Sequence, residues 1–327
     1  MKVLIALKSV IPATKYGGIE RAIWYLGKEL AGMGHEVTFL VNEGSECSFA
    51  KVIYFQKGKN LNDLIPEDIE IVQLEYNPEE GIKKPYVVNC QVNVDESVEL
   101  DENTIFVSRD HASRYGSNCY VYNGMDWNDY GLPDFRYQRK YFHFLGKAAW
   151  RVKNIKGAIR VAQKAKQRLK VLGGTRLNFK MGFRLTLDPR IEFYGMVGGD
   201  EKNGLLRNSK GLIFPVRWHE PFGIAITESL YFGCPVFGTP YGSLPELVTS
   251  EFGHLSTDSN ELAESILNAD SYSKKKCHEY ARDKFNSRVM AEAYIKKYEQ
   301  VLNGASLNEK KPKLVHPQKV RFLPWAD

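Results

Sequence analysis

The chain has 327 residues, about twice the size of a typical domain of ~150 residues, so its length predicts two domains. Hydrophobic residues at 43% and charged residues at 26% are ordinary for a globular protein, and they exclude a disordered, collagen-like or coiled-coil chain. The 45 Lys and Arg against 39 Asp and Glu leave a net charge of +6. That excess is below what a dedicated nucleic-acid binder usually carries, but it suits a protein that handles anionic substrates or touches an anionic membrane.

The five cysteines favour a reducing compartment. They are odd in number, far apart and without a Cys-x-x-Cys pair, a spacing that fits neither a disulfide framework nor a zinc site. No apolar run approaches the ~18 residues that a bilayer span needs, and the apolar run between Lys2 and Lys8 is too short for a signal peptide. We therefore expect a cytoplasmic protein whose only route to a membrane is peripheral.

The first forty residues predict a strand, a helix and a second strand. Residues 3–7 form a continuous apolar run, which is typical of a strand covered on both faces. After Gly17 and Gly18, apolar residues recur every three or four positions up to Met33, as on one face of a helix. Residues 36–41 are the next predicted strand, so this half should contain βαβ units and a parallel sheet.

Further strands and a domain boundary follow. The strands predicted next span residues 69–74, 86–90, 104–107 and 118–122. A turn-rich stretch at residues 123–133 then interrupts the pattern, and we place the domain boundary near residue 135. The first domain is thus predicted to comprise residues 1–135.

The second half repeats the alternation of strands and helices. Strands are predicted at residues 141–145, 169–172, 191–197, 212–216 and 235–237, with helices at 155–169, around 204–206, at 222–231 and near 244–247. Two or three helices close this domain, which we assign to residues 136–302. The predicted fold class is therefore α/β, with two Rossmann-like parallel-sheet domains in tandem.

The last segment, residues 303–327, has a different composition. Five Lys and Arg residues lie among three prolines, with Phe322 and Trp325 near the end. We weigh two interpretations: a solvated or partly docked terminus, which includes packing back on the first domain, and a basic-aromatic contact with a membrane or a protein partner.

Residues 217–230 are the segment most specific to a function. The segment leaves an apolar strand and enters a predicted helix at Pro221, a residue suited to the first helical turn. The amides of residues 222–224 would then be unpaired and ready to bind a phosphate group. Glu220 and Glu228 could both face a ligand at the carboxyl ends of the strands. Alternatively, Glu220 caps the helix and Glu228 is a surface acid.

Several segments together resemble a known family. Residues 220–228 (Glu-Pro-Phe-Gly-Ile-Ala-Ile-Thr-Glu), followed by residues 233–236 and 242–248, are similar to the donor-site signature of family 4 retaining glycosyltransferases. Residues 17–21 resemble the family's glycine loop, and residues 123–126 (Asn-Gly-Met-Asp) its segment before the interdomain linker. The resemblance implies the GT-B fold, in which two Rossmann-like parallel-sheet domains face a central cleft.

The resemblance also implies roles for individual residues. Glu228 would bind the ribose of a nucleotide-sugar donor, and Glu220 would touch the transferring sugar. The remaining donor contacts, in the glycine loop, beside the nucleotide base and at the helix amides, would come from Gly17, Gly18, Met196, Val197, Phe222, Gly223 and Ile224.

A basic trio would bind the donor diphosphate. In the family, an Arg and a Lys after the first strand of the second domain do so. Here Lys147 stands where Arg is usual, and Lys153 lies one residue further on than the common spacing. Because lysine lacks the bidentate fork of arginine, Arg151 is a third candidate, and the assignment within the trio stays open. The alternative is a basic loop that faces solvent.

The acceptor side departs from the family pattern. Many relatives carry a His after the strand that here spans residues 86–90, whereas this chain has Gln91 there. Gln91 can hydrogen-bond a sugar hydroxyl but cannot act as a general base. His111 is the other acceptor-side candidate, although we favour a surface or capping role for it.

The resemblance therefore implies a retaining glycosyltransferase with Glu220, Lys147 and Lys153 as catalytic residues. It would move a sugar from a UDP-, GDP- or ADP-sugar to a glycan, lipid-linked or small-molecule acceptor in cell-surface polysaccharide or glycoconjugate biosynthesis. Because no Asp-x-Asp motif is present, we expect transfer without a metal ion, and no cofactor besides the nucleotide sugar. The alternative is a protein that binds nucleotide sugars without turnover; a nucleic-acid partner is not expected.

Overall fold

The computed structural model describes residues 1–13, 17–79, 81–136 and 138–327, and the chain forms two compact units. Residues 1–13, 17–126 and 285–317 belong to the first unit, and residues 127–284 and 318–327 belong to the second. The chain thus leaves the first unit at Asp126 and returns to it at Phe285. These boundaries differ from the predicted ones, near residues 135 and 302. The second boundary differs because the last long helix packs on the core of the first unit.

The first unit is built on a six-stranded parallel sheet. Its elements are β1 (Lys2–Leu7), α1 (Gly18–Gly32), β2 (Glu36–Val41), β3 (Lys51–Tyr54), α2 (Leu61–Leu64), β4 (Ile71–Leu74), β5 (Tyr86–Cys90), β6 (Thr104–Phe106) and α3 (Arg109–Arg114). The strand order is β3-β2-β1-β4-β5-β6, and every neighbouring pair is parallel.

Helix α1 covers this sheet with the apolar stripe that the sequence predicts. Ile23, Leu26 and Leu30 are buried, and they share one core with the strands β1 and β2. The helix approaches Phe39 of β2 closely at Gly27, where a Cβ atom would lie 2.3 Å from the Cζ atom of that ring. Glycine is therefore required there by the packing of the helix on the sheet.

The second unit contains a second six-stranded parallel sheet. Its elements are β7 (Tyr141–Leu145), α4 (Ile155–Lys164), β8 (Leu169–Leu172), β9 (Leu177–Asn178), β10 (Arg184–Leu185), β11 (Ile191–Phe193), α5 (Gly199–Arg207), β12 (Ser209–Phe214), α6 (Ile224–Tyr231), β13 (Val236–Gly238), α7 (Leu244–Leu247), β14 (Gly253–Leu255), α8 (Ser259–Leu267) and α9 (Lys274–Lys284). The strand order is β11-β8-β7-β12-β13-β14. Strands β9 and β10 form a separate antiparallel hairpin.

The two large sheets have the same topology. In each, the first strand lies between the second strand and a strand that comes later in the chain, so the strand order reverses there. Ligands of such sheets bind outside the carboxyl ends of the strands at this reversal. Lys153 lies in a short 3-10 turn after β7, and Glu220 follows β12. The topology therefore brings these two distant sequence segments to one edge. The predicted α/β fold with two Rossmann-like parallel-sheet units is confirmed.

The chain returns to the first unit through helix α10 (Ser287–Leu302). Its apolar face joins the core of that unit with Met290, Ala291, Tyr294, Tyr298 and Val301. Residues 123–126 receive the start of the helix: the Met125 amide donates to the Phe285 carbonyl at 3.0 Å, and the Ser287 amide donates to the Met125 carbonyl at 2.9 Å. The Asn-Gly-Met-Asp segment thus anchors the returning chain.

Several local predictions were wrong. Residues 118–122 form only one bridge, between Phe106 and Tyr120, rather than a strand. Helix α6 begins at Ile224 and not at residues 221–222, because Gly223 adopts a left-handed conformation with φ of 84°. The half-exposed strand β3, the three-residue strand β14 and the β9–β10 hairpin were not predicted.

The C-terminal tail is divided between the units. In residues 303–317, the Pro312 carbonyl accepts from the Leu100 amide of the first unit at 2.9 Å. The last ten residues belong to the second unit, where Ala326 bridges Asp258. None of the helices in the described residues has both the length and the apolar composition of a bilayer span.

Candidate active site

Glycines bring the ends of three strands close together at the carboxyl edge of the second sheet. After β8, the Gly173 amide donates to the Gly195 carbonyl, which follows β11, at 2.6 Å. The Ala148 amide, which follows β7, donates to the Gly173 carbonyl at 2.8 Å. A Cβ atom on Gly173 would lie 2.0 Å from the Gly146 oxygen. The backbone itself therefore forms this edge, without side chains in the way.

Lys153 and Glu220 form a buried ion pair beside this edge. The Lys153 Nζ atom lies 2.6 Å from Glu220 Oε2, and the two side chains are only 10% and 7% exposed. Trp218 Nε1 donates to the same oxygen at 2.8 Å. The lysine ammonium also lies over the rings of Trp218 and Phe214, at 5.0 and 5.3 Å. Because each charge has a partner, the pair can be buried without the cost of an isolated charge.

The position of Glu220 is fixed through its backbone. Gly242 packs against it so closely that a Cβ atom there would lie 2.2 Å from the Glu220 nitrogen. The Ser243 amide donates to the Glu220 carbonyl at 3.0 Å, and the Ser243 hydroxyl donates to the Phe222 carbonyl at 2.7 Å. The Gly242-Ser243 part of the predicted signature therefore supports the loop that carries Glu220.

Glu228 forms the second buried ion pair of this unit. Lys202, on α5, donates to Glu228 Oε1 on α6, and the Tyr130 hydroxyl donates to the same oxygen at 2.8 Å. The Lys202 ammonium lies 4.6 Å from the centre of the Tyr130 ring. Glu228 is only 1% exposed, so it is not the surface acid of the alternative interpretation.

The segment between the glutamates is also buried. Pro221, Phe222 and Gly223 are all buried, and Ile224 is half-buried. A Cβ atom on Gly223 would lie 2.9 Å from Ile226 Cδ1. The turn that precedes α6 is thus compact, and the first helical amide with a local acceptor is that of Ile226, which donates to the Gly223 carbonyl at 2.8 Å.

The other two members of the basic trio are exposed. Lys147 lies over the Trp150 ring at 5.3 Å, and Trp150 packs edge-on against Trp218 at 6.3 Å. Lys147 and Lys153 therefore flank one tryptophan pair. Arg151 instead lies over the Phe322 ring of the C-terminal tail at 4.8 Å, and so it is directed to the tail.

Met196 and Val197 lie in the loop between β11 and α5. Met196 is 40% exposed, Val197 is half-buried, and Gly195 before them has a φ of 67°. This loop leads directly into the helix that carries Lys202. The loop thus contributes the exposed side chain of Met196, and the helix after it contributes the buried ammonium group of Lys202.

One pocket of the first unit, of about 230 Å³, lies at the carboxyl ends of β1, β4 and β5. Gln91 lines it, as do the ionisable side chains of Lys8, Glu20 and Glu75. Gln91 exchanges two amide hydrogen bonds with Asn123, at 2.9 and 3.1 Å. The predicted acceptor-side glutamine is therefore held in a defined orientation at the wall of a cavity.

Glu75 is the distinctive group of this pocket. Its two oxygens accept from Gln73 Nε2 at 2.5 Å and from Asn89 Nδ2 at 2.8 Å. Burial raises the pKa of Glu75 to about 8, although these two hydrogen bonds act in the opposite direction. Unlike Glu220 and Glu228, Glu75 forms no ion pair with a Lys or Arg among the residues that the structure describes. This carboxyl group therefore holds a proton at neutral pH.

The remaining predicted positions have different surroundings. Gly17 directly precedes α1 and Gly18 begins it, in the first unit, and a Cβ atom on Gly17 would lie 2.8 Å from both Ala13 Cβ and Glu20 Oε2. His111 is fully buried, with its ring against Phe106 and Tyr115, and burial lowers its pKa to about 3. The structure does not bring His111 to the pocket that Gln91 lines.

Sequence reasoning missed several partners in these sites. Lys202 and Tyr130 lie far in sequence from Glu228, to which they donate hydrogen bonds. The contact between Trp150 and Trp218 joins two distant segments that share no motif. For Glu75 the sequence held a weak indication of a functional role. It directly follows an apolar strand, and the carboxyl ends of such strands are where ligands bind in these sheets. Within the described residues, no three His, Cys, Asp or Glu side chains gather where they could hold a metal ion.

The two parallel six-stranded sheets with their helices define the class of fold as GT-B. Residues 139–269 match the family model described as glycosyl transferases group 1, and this segment contains Lys147, Lys153, Glu220 and Glu228. The match with that family lies within the second unit of the chain. The predicted family resemblance is confirmed.

A curated relative matches part of the chain. It is an uncharacterized 41.2 kDa protein in the cps region of Klebsiella pneumoniae, 26% identical over 115 residues. The match covers 33% of this chain and 32% of that protein. The chain therefore aligns with about a third of the length of its curated relative.

Solved structures match nearly the whole fold. AviGT4, a glycosyltransferase involved in avilamycin A biosynthesis, is 18% identical with a TM-score of 0.73, over 93% of this chain and 99% of that one. Sucrose-phosphate synthase from Thermosynechococcus elongatus is 16% identical with a TM-score of 0.69, over 93% and 100%. HepE from Anabaena, in complex with UDP and glucose, is 15% identical with a TM-score of 0.64, over 91% and 99%. These likenesses establish the fold of both units.

Proposed function

We propose that the chain is a retaining, metal-independent glycosyltransferase that moves a sugar from a nucleotide-diphosphate sugar to an acceptor. The observation that carries the proposal is the presence of two buried lysine–glutamate pairs, Lys153–Glu220 and Lys202–Glu228, within the group 1 family segment. Buried ion pairs seldom repay their desolvation by stability alone. Two of them in one unit therefore indicate a site that handles charged and hydroxyl-rich ligands.

The donor diphosphate would bind beside Lys153, with Lys147 as the second cation. Breaking the bond to the sugar places negative charge on the leaving diphosphate, and fixed positive groups stabilise that charge most in the transition state. The amides of Phe222 and Gly223, before α6, and of Ile224, its first residue, would add their dipoles at the same place. With these groups present, the reaction needs no divalent ion.

The two glutamates would bind the sugars of the donor. Glu220 would accept hydrogen bonds from the transferring sugar, and Glu228 would accept them from the ribose. Because each carboxylate already has a lysine partner, the donor would share these pairs rather than meet free carboxylates. Met196 and Val197 would lie beside the base. Retention would follow from attack on the same face, with the leaving phosphate taking the proton of the acceptor hydroxyl.

The acceptor would bind in the pocket of the first unit. Gln91 offers an amide, and Glu75 offers a carboxyl group that can both donate and accept hydrogen bonds when protonated. These are groups that suit the neutral hydroxyls of a glycan, a lipid-linked sugar or a small molecule.

Two of the similar proteins suggest a donor and a biological context. HepE from Anabaena has been crystallised in complex with UDP and glucose, and the Klebsiella relative lies in a cps region. UDP-glucose is therefore the first donor to test, and cell-surface polysaccharide synthesis is the proposed context.

The test combines donor binding with turnover. The purified chain is screened by thermal shift against UDP, GDP, ADP and their sugars, because a ligand that binds only the folded state raises the melting temperature. Release of the nucleotide is then measured with the donor that binds. We expect Lys153→Met to reduce turnover about 10²- to 10³-fold, the usual effect of removing one group that stabilises transition-state charge. Lys156→Met, at an exposed lysine three residues away, should leave turnover unchanged.

A folding control separates chemistry from stability. Lys153→Met leaves Glu220 buried without its cation, whereas Lys153→Met combined with Glu220→Gln leaves no buried charge. We expect the double variant to melt near the wild type and still to lack transfer. Wild-type turnover in the single variant would contradict the assignment of Lys153.

The second candidate function is nucleotide-sugar binding without turnover. It is favoured by Lys147 and Gln91, which stand where the family pattern has Arg and His. Thermal stabilisation by a nucleotide sugar, with neither transfer nor hydrolysis for any donor, would decide for this alternative.

A further inference from the structure

The β9–β10 hairpin of the second unit exposes an unusual row of apolar side chains. Every second residue along it is apolar and between 46% and 78% exposed: Leu177, Phe179, Met181, Phe183, Leu185 and Leu187. The Phe179 and Phe183 rings lie 5.7 Å apart, so they form one contiguous cluster. Folded monomers rarely leave such a patch in water unless it has an interaction partner.

The opposite face of the hairpin is packed on the unit, which fixes its orientation. Arg184 and Thr186 are buried, and the Arg184 guanidinium lies 4.8 Å from the Phe193 ring centre. Arg176 donates to the Thr186 carbonyl at 2.9 Å and to the Ile191 carbonyl at 2.7 Å. Because side chains alternate between the faces of a strand, these contacts hold the apolar row outward.

Two basic side chains, Lys180 and Arg151, lie at the tip of the hairpin. Lys180 is exposed between the two phenylalanines in sequence. A Cβ atom on Gly182 would lie 3.9 Å from Arg151 Cδ. The guanidinium groups of Arg151 and Arg321 lie 4.8 and 5.4 Å from the Phe322 ring, so the basic tail continues the surface. We call this set the hairpin surface: the six apolar residues with Lys180, Arg151 and Arg321.

We propose that the hairpin surface docks on an anionic lipid bilayer. Phenylalanine, leucine and methionine side chains would enter the boundary between headgroups and acyl chains, as the apolar face of an interfacial element does. Each Lys or Arg near the surface adds attraction to anionic headgroups. The charge complementarity of the rim argues for a membrane occupant, and the proposal does not depend on the transfer reaction.

The test is vesicle binding of the full-length chain. Wild type is sedimented with vesicles of phosphatidylcholine alone and of phosphatidylcholine with about 30% phosphatidylglycerol, a composition chosen to add negative charge. We expect binding to the anionic vesicles, weaker binding in high salt, and at least a tenfold loss in Phe179→Ser/Phe183→Ser. Lys180→Glu should lose less. Leu267→Ser, at a residue 59% exposed on α8, should bind like the wild type.

The remaining outcomes contradict the proposal. Absence of wild-type binding to the anionic vesicles would overturn it, as would equal binding by Phe179→Ser/Phe183→Ser. A wild-type dimer that this double variant converts to a monomer, without vesicle binding, would show that a second copy covers the surface instead. Because the substituted side chains are exposed, unchanged circular dichroism and melting temperature are expected for all variants.

Discussion

The two units share one strand order but differ in the partners of their glutamates. In the second unit, Glu220 and Glu228 each have a buried lysine partner. In the first unit, Glu75 accepts from the neutral amides of Gln73 and Asn89. The same topology therefore supports paired charges in one half of the chain and a protonated carboxyl group in the other.

This difference suits the two substrates of the proposed reaction. A buried lysine that already balances a carboxylate can be shared with an incoming diphosphate, because its charge stays fixed and desolvated. A carboxyl group that holds its proton can bind a neutral hydroxyl without placing charge in the pocket. The sheet topology positions both sites, and the side chains that follow the strands decide their chemistry.

The largest effect is expected from breaking the Lys202–Glu228 pair. Lys202→Met leaves the Glu228 carboxylate buried with the Tyr130 hydroxyl, and removal of one partner from a buried ion pair costs about 3–5 kcal/mol. We expect that loss in the free energy of unfolding, measured by urea denaturation. Lys202→Met combined with Glu228→Gln should regain most of it.

Lys140→Met, at an exposed lysine just before β7, is the matched control and should change stability little. If Lys202→Met were as stable as that control, then the pair would not be buried in solution. The second unit would then lack the buried charge pair that distinguishes it from the first unit.

The sequence predicted the fold better than the contacts within the sites. Apolar runs such as residues 3–7 and the stripe of α1 depend on local order, so the sheets and helices could be predicted from them. The segment from Glu220 to Glu228 was identified because its residues are adjacent in sequence. The partners of the two glutamates, Lys153 and Lys202, lie 67 and 26 residues away, and only Lys153 was proposed, through family resemblance.

The rest could not be predicted because it depends on tertiary packing. Helix α10 could have packed on the second unit, which precedes it in the chain, or on the first unit. The outcome depends on which core its apolar face fills. Nothing in the local pattern of residues 177–187 separates a hairpin with one exposed apolar face from a buried strand. The pKa of Glu75 is set by burial, which strand prediction alone does not quantify.

The intermediate effect concerns the first unit and depends on pH. Glu75 keeps its proton up to about pH 8 in the folded chain, against an ordinary pKa of 4.5. The unfolded chain releases that proton first, so the Glu75 contribution lowers the free energy of unfolding as pH rises from about 4.5 to about 8. The slope from one group is at most about 1.4 kcal/mol per pH unit. Glu75→Gln should remove this decline.

The measurement is urea unfolding of wild type and Glu75→Gln across that pH window. Lys8 and Glu20 also line the pocket, and both are present in the two proteins, so their effects cancel in the comparison. Glu67→Gln, at an exposed glutamate before β4, should keep the wild-type profile. Parallel profiles for wild type and Glu75→Gln would mean that Glu75 ionises normally, and the contrast between the units would disappear.

The smallest effect is expected at Arg151, which tests whether burial decides which cations bind the proposed donor. Its guanidinium is exposed and lies over Phe322, whereas Lys153 is buried beside Glu220. Exposed charge contacts contribute about 0–1 kcal/mol, so Arg151→Ala should weaken donor binding less than about fivefold in isothermal titration. A loss of donor affinity as large as that of Lys153→Met, titrated in parallel, would mean that exposed cations bind the diphosphate. The Lys153–Glu220 and Lys202–Glu228 pairs would then have a structural role. They would not be what distinguishes the chemistry of the two units.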